Sequence, residues 1–284
     1  MLTNTFCHIP TIGPTTERKL WSAGVHTWEA FASTADTVPL SARRRDLVAR
    51  HLDESAGHLE RDNPDYFTAG LAPKEHWRLF PHFRHKTCYL DIETTGLGSR
   101  GDYITSIAIY DGEYIRTFVK GENLDEFPDA IDDYRIIVTY NGKSFDIPFI
   151  RRYLRLPMRQ SHIDLMHVLR SLGYRGGLKG CEHQLGLDRG DLEGIDGFFA
   201  VLLWDDYLTN GNERALETML AYNVQDVVNL ETLLVKAYNL KLKETPFAES
   251  HRLEPPGMPK LPFRAHLETV ERIKREHPSH GWSG

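Results

Sequence analysis

The run Lys86-Thr87-Cys88-Tyr89-Leu90-Asp91-Ile92-Glu93 alternates its side chains and predicts a strand, with Leu90 and Ile92 on one face and Tyr89, Asp91 and Glu93 on the other. Both carboxylates then point the same way. In a central strand such a pair is costly unless a cation offsets it. A solvated edge strand would carry the same pattern in isolation. The abrupt Thr94-Thr95-Gly96 turn and two later stretches point instead to a buried site. Hard oxygen donors of this kind suit Mg²⁺ or Mn²⁺.

The second stretch follows Arg135-Ile136-Ile137-Val138-Thr139-Tyr140, a β-branched run expected of a buried parallel strand. It ends in Asn141-Gly142-Lys143-Ser144, after which Phe145 and Asp146, with Pro148 close behind, open a helix. Asp in that place is a common helix cap. It also faces the crevice where α/β sheets bind ligands. Gly142-Lys143-Ser144 is not a Walker-type phosphate loop, because Ile137 stands where the first Gly is required. In the third stretch, Tyr222-Asn223-Val224-Gln225-Asp226, Tyr222 and Asp226 share one face of a helix expected over residues 213–238. A lone acid there would read as solvated; with the other two stretches present it reads as part of a site.

The 284 residues have room for one substantial α/β domain and a small accessory part. Hydrophobic content of 40% and charged content of 26% are those of an ordinary globular chain. Three scattered cysteines, Cys7, Cys88 and Cys181, form no CxxC pair and predict a reducing compartment without a cysteine-bound metal. No HExxH pair occurs among the histidines. No apolar run is long enough to span a membrane and no signal-peptide pattern opens the chain, so a cytoplasmic location is expected. The net charge of −6 is unusual for a nucleic-acid enzyme, but the clustered acids account for part of it. Between Ile147 and Ile163 there is no acid, and Arg151, Arg152, Arg155 and Arg159 lie beside Asp146. Arg43-Arg44-Arg45 forms a second basic cluster; a solvated helix face is the usual meaning of such runs.

Along the chain, residues 1–80 read as helical, and 103–110 and 113–120 as an antiparallel pair turning at Asp111-Gly112. A Pro-rich linker and a short helix near 263–276 make up residues 244–284. His8-Ile9-Pro10-Thr11-Ile12-Gly13-Pro14, with Leu20 and Gly24-Val25, resembles one helix-hairpin-helix element, with Thr11 where its first Gly usually stands. Such a hairpin offers backbone N–H groups to a phosphate, and packing is an equal role for it. Asp164 is expected to cap a helix, and Arg175 and Lys179 flank a Gly-rich turn suited to gripping a phosphate.

Asp91, Glu93, Asp146 and Asp226, with Tyr222 four residues before the last acid, resemble the DEDD exonuclease superfamily, tyrosine subgroup. YprB-type ribonuclease H-like proteins resemble the chain further, through 75–80, 162–167 and 176–182. The resemblance implies an α/β fold, a ribonuclease H-like mixed sheet flanked by helices over 86–240, with a small helical N-terminal subdomain over 1–80. It implies two Mg²⁺ or Mn²⁺ ions, Asp91 bridging both, Glu93 and Asp226 completing one site and Asp146 holding the second. Tyr222 would orient the attacking water beside Glu93, as the catalytic pair. The terminal nucleotide would meet Asn141 and Phe145, and the backbone Arg151, Arg152 and Lys179. The expected partner is nucleic acid with a free, single-stranded 3′ end, DNA in a repair setting, with a helicase as a further candidate and no membrane. The alternatives are a ribonuclease D-like RNA exonuclease and a non-catalytic nucleic-acid-binding or helicase-adaptor module.

Overall fold

The computed structural model describes residues 1–34, 38 and 40–278. Five strands form one mixed sheet: β1 (Thr87–Thr94), β2 (Ile104–Tyr110), β3 (Ile115–Val119), β4 (Ile136–Thr139) and β5 (Ser161–Asp164), in the order β3-β2-β1-β4-β5. β1 pairs antiparallel with β2 and parallel with β4, so the strand bearing both acids is central. The β2–β3 turn differs from the expected two-residue one. Tyr110 pairs with Ile115, leaving a four-residue loop, and the Asp111 carboxylate takes the amides of Glu113 and Tyr114 at 2.9 and 2.7 Å.

Twelve α-helices surround the sheet among the described residues. α1 (Pro14–Ser22), α2 (Trp28–Thr34), α3 (Ala42–Glu60), α4 (Pro64–Gly70) and α5 (Phe80–Phe83) precede it. α6 (Phe127–Ile131) and α7 (Asp146–Tyr153) bury the face formed by Cys88, Leu90, Ile92, Ile107 and Ile137. On the other face lie α8 (Leu165–Ser171), α9 (Gly177–Gln184), α10 (Gly197–Asn210), α11 (Glu213–Leu242) and α12 (Leu267–Glu276). Tyr89 and Val138 of that face share one apolar cluster with Val227 and Leu230 of α11 and with Phe6, Phe31 and Phe67 of the N-terminal part.

Within the N-terminal part, the turn before α1 puts Thr11 in the left-handed region at φ 72°, and Arg44 of α3 donates to its carbonyl at 2.7 Å. The C-terminal stretch packs back on the body: Asn239 and Leu253 exchange two hydrogen bonds, and Phe247 sits edge-on to Trp21. No helix among the described residues is long and apolar enough to cross a membrane.

Candidate active site

β1 delivers Asp91 and Glu93 onto the α11 face. Their β2 partners there, Ala108 and Ser106, are small, which lets α11 approach closely. From α11, Asn223 donates to Asp91 Oδ2 at 2.7 Å and accepts from Ser106 Oγ at 2.9 Å, fixing the first acid. The pairing slips between Glu93 and Thr94, a bulge that turns the chain away just beyond the second acid. Asp226 lies one helical turn beyond Tyr222 on α11. Asp91, Glu93 and Asp226 each offer a carboxylate oxygen within 4.8 Å of the others.

Asp146 comes from the loop after β4. Gly142 is required there, because a Cβ would stand 2.2 Å from Thr139 Oγ1. Asn141 is held left-handed at φ 64°. Asp164 caps α8 through Met166 N at 3.1 Å and also takes the amides of Asn141 and Lys143 at 2.8 and 3.2 Å, so one carboxylate fastens the loop to β5. Asp146 is the first residue of α7, and the N-cap position before it is Phe145, which gives the helix no side-chain cap. The Asp146 side chain is buried, on the same cleft as the acids of β1.

All four acids line a cleft of about 590 Å³, together with Asn141, Phe145, Tyr222 and the apolar Leu97 and Phe198. Burial pushes Asp91 and Glu93 well above the usual carboxylate range, and repulsion from Asp226 and Asp146 adds to it. Asp146 is pushed up to about 7, chiefly by burial. Asp226 is raised by burial, with Arg189 working against the shift. Burial, then the charges of Asp226 and Glu93, lift the Tyr222 phenol well above its ordinary value, so it is a neutral hydroxyl at any working pH.

Lys179, on α9, sets its ammonium 5.0 Å from the Tyr222 ring centroid and lies outside the cleft lining. Arg151 and Arg152 point elsewhere. Arg151 holds the carbonyls of Pro157 and Met158, while Arg152 takes that of Gly98 and stacks over Phe149. Arg175 is spent on the carbonyls of Arg170 and Tyr174. Two residues of the site carry no local sequence signal. Arg189 sits in a polar turn, yet its side chain is 3% exposed and reaches Asp226 at 2.5 Å. Asn223 stands inside the quoted third stretch, but its partner on β1 is 132 residues away.

A central strand with two inward acids, a third acid on a long crossing helix and a fourth at the β4–α7 junction define an RNase H-type domain. Residues 88–238 match the model of the RNase H superfamily, and the chain belongs to that superfamily. Over 213 residues, 66% of its length, it is 30% identical to a curated Bacillus subtilis (strain 168) protein, "Uncharacterized protein YprB", of which it covers 50%. The chain thus spans about half the length of that relative. Among solved structures, the family B DNA polymerase from the hyperthermophilic archaeon Pyrobaculum calidifontis aligns with a TM-score of 0.42 at 15% identity, over 59% of this chain and 27% of that one.

Proposed function

We propose that the chain is a metal-dependent 3′–5′ exonuclease that hydrolyses phosphodiester bonds of nucleic acid by a two-ion mechanism with Mg²⁺ or Mn²⁺. The observation that carries the reading is the meeting of three carboxylates within 4.8 Å on the floor of a cleft whose fourth acid is Asp146. The donor set is all oxygen, as hard divalent ions require. Its acids repel one another, and that repulsion falls when a cation joins them. Bound there, two ions supply the field that activates water and stabilises the leaving 3′-oxygen.

Asp91, held by Asn223, would offer oxygens to both ions; Glu93 and Asp226 would serve one, and Asp146 the other. The neutral Tyr222 hydroxyl hydrogen-bonds the attacking water and, with Glu93, sets its line of approach. Asn141 and Phe145 receive the terminal nucleotide, whose base stacks on the aromatic ring. Lys179 lends positive potential from behind Tyr222. Residues 86–240 are the proposed catalytic unit, 1–80 a helical subdomain and 244–284 a tail. A cytoplasmic DNA-repair setting, with a helicase exposing the 3′ end, completes the proposal.

The test is digestion of matched DNA and RNA single strands, labelled at the 3′ or the 5′ end, with Mn²⁺ and with EDTA. Early loss of the 3′ label, a shrinking ladder from the 5′ label and no change in EDTA are expected. Faster digestion of RNA would reassign the substrate, because the sugar 2′-hydroxyl is what separates the two polymers. Intact strands throughout, with binding retained in EDTA, would make the chain a binding module.

A further inference from the structure

Arg189 is buried beside the acid cluster, and the chemistry proposed above gives it no task. Its Nε donates to Glu182 Oε2 at 2.6 Å, and its Nη2 lies 2.5 Å from Asp226 Oδ1. The other Glu182 oxygen accepts from Asn229 Nδ2 at 2.7 Å, and Asn229 Oδ1 accepts from Gln225 Nε2 at 2.7 Å. This chain of contacts ties the guanidinium to α9 and α11 and keeps it from swinging out to solvent. The residue lies outside the lining of the cleft, its Nη1 has no hydrogen-bond partner, and its Nη2 meets Asp226 Oδ1 as an ion pair whose angle is not that of a hydrogen bond. The ring of Tyr222 stands 5.6 Å from the guanidinium carbon.

We infer that Arg189 is a resident cation of the acid cluster, a positioning residue that holds Asp226 when no ion is bound and weakens the grip of an incoming ion on that carboxylate. The inference rests on the two-ion reading. Two effects of the arginine oppose each other. It freezes Asp226 in one orientation, which favours an ion, and it places a positive charge next to the ion's ligand, which disfavours one. In a buried site, repulsion between charges a few ångströms apart outweighs the rotamer freedom of one short side chain. The net effect is an acid cluster that folds empty and releases its ions readily.

The test uses the full chain in thermal melts and in calorimetric titration with Mn²⁺. Arg189→Gln is expected to lower Tm by about 5 °C in EDTA, because it leaves buried carboxylates uncompensated. Saturating Mn²⁺ should close at least half of that gap, and the Kd for Mn²⁺ should tighten by roughly threefold to tenfold. Arg189→Lys, which keeps the charge, should stay near wild type in Mn²⁺ affinity. Glu182→Gln should move affinity the other way, since Arg189 then has Asp226 as its only carboxylate partner; this variant decides the matter if Arg189→Gln gives no cooperative melt. An equal Tm gap with and without Mn²⁺, weaker Mn²⁺ binding by Arg189→Gln, or tighter binding by Glu182→Gln would overturn the inference. No Mn²⁺ binding by the wild type would overturn the two-ion reading itself, a different failure from normal wild-type binding left unchanged by Arg189→Gln.

Discussion

Among the described residues, buried carboxylates gather at two places. In the N-terminal part, Glu17 accepts from Thr5 Oγ1 and Phe6 N at 2.6 and 2.8 Å and from Arg78 at 3.0 Å. Glu75 accepts from Arg78 Nε and Trp77 Nε1 at 3.0 and 3.2 Å. Two acids share one arginine and further N–H and O–H donors, five hydrogen bonds in all, and the cluster bolts α1 to the segment before the sheet. At the cleft, four acids are served by Asn223, Arg189 and the more distant Lys179. In the first cluster both carboxylates are paired with the same guanidinium. The second leaves negative charge unanswered where a ligand enters, the arrangement a fold retains when cations arrive from outside.

The sharpest way to break this contrast is Asp91→Ala. Turnover with Mn²⁺ should fall by on the order of 10⁴-fold, since a shared ligand of both ions is lost, and single-turnover assays on a 3′-labelled strand read it directly. The same variant should melt no lower than wild type in EDTA, because it relieves repulsion. Tyr222→Phe comes next, with an expected loss of about 10²–10⁴ in rate and near-normal Mn²⁺ affinity; an unchanged rate would make the hydroxyl a bystander. In the other cluster, Glu17→Gln should cost about 3–5 kcal/mol with or without ions, because it takes from buried Arg78 one of its two carboxylate partners. Urea midpoints for Glu17→Gln and Asp91→Ala that move in the same direction in EDTA would erase the distinction between the two regions.

The smallest effect is one of pH. Asp146, pushed up to about 7 in the folded protein against 3.8 in the unfolded chain, favours its protonated form. Its contribution to stability is full below pH 4 and is lost as pH rises towards 7. His8 behaves oppositely, because burial lowers it from 6.5 to about 3. Its contribution is full above pH 6.5 and is lost on acidification. Each slope is at most about 1.4 kcal/mol per pH unit. Melts in EDTA should therefore show a loss towards neutral pH that Asp146→Asn reduces without abolishing, since Asp91, Glu93 and Asp226 are raised as well, and the acid-side loss should stay in place.

Much of this site is local in the chain and was legible for that reason. The alternation through Asp91 and Glu93 returned as β1, with Leu90 and Ile92 buried on the opposite face, because a strand's period of two leaves no freedom once one face is apolar. Tyr222 and Asp226 share a helix turn, and helix pairing is equally local. Arg189 escaped because its neighbours Asp188, Gly190 and Asp191 spell a solvated turn, and its burial comes from α9 and α11 closing over it. Arg151 and Arg152 show the reverse: a run without acids carried no information about the nearby carbonyls, which claim both guanidinium groups.

Asn223 and Asp91 meet across 132 residues, and α11 is made after every strand of the sheet. A ribosome adds roughly 5–20 residues per second. For several seconds of each synthesis, the chain carries its first two acids on β1 with neither the asparagine that orients Asp91 nor the aspartate that completes the cluster. During that interval the acid set is unfinished, even after Asp146 has been added, and Asp91 has no orienting partner. The closure of α11 over β1 therefore makes the site one of the last parts of the molecule to be assembled, and the proposed hydrolysis would wait for that helix to pack.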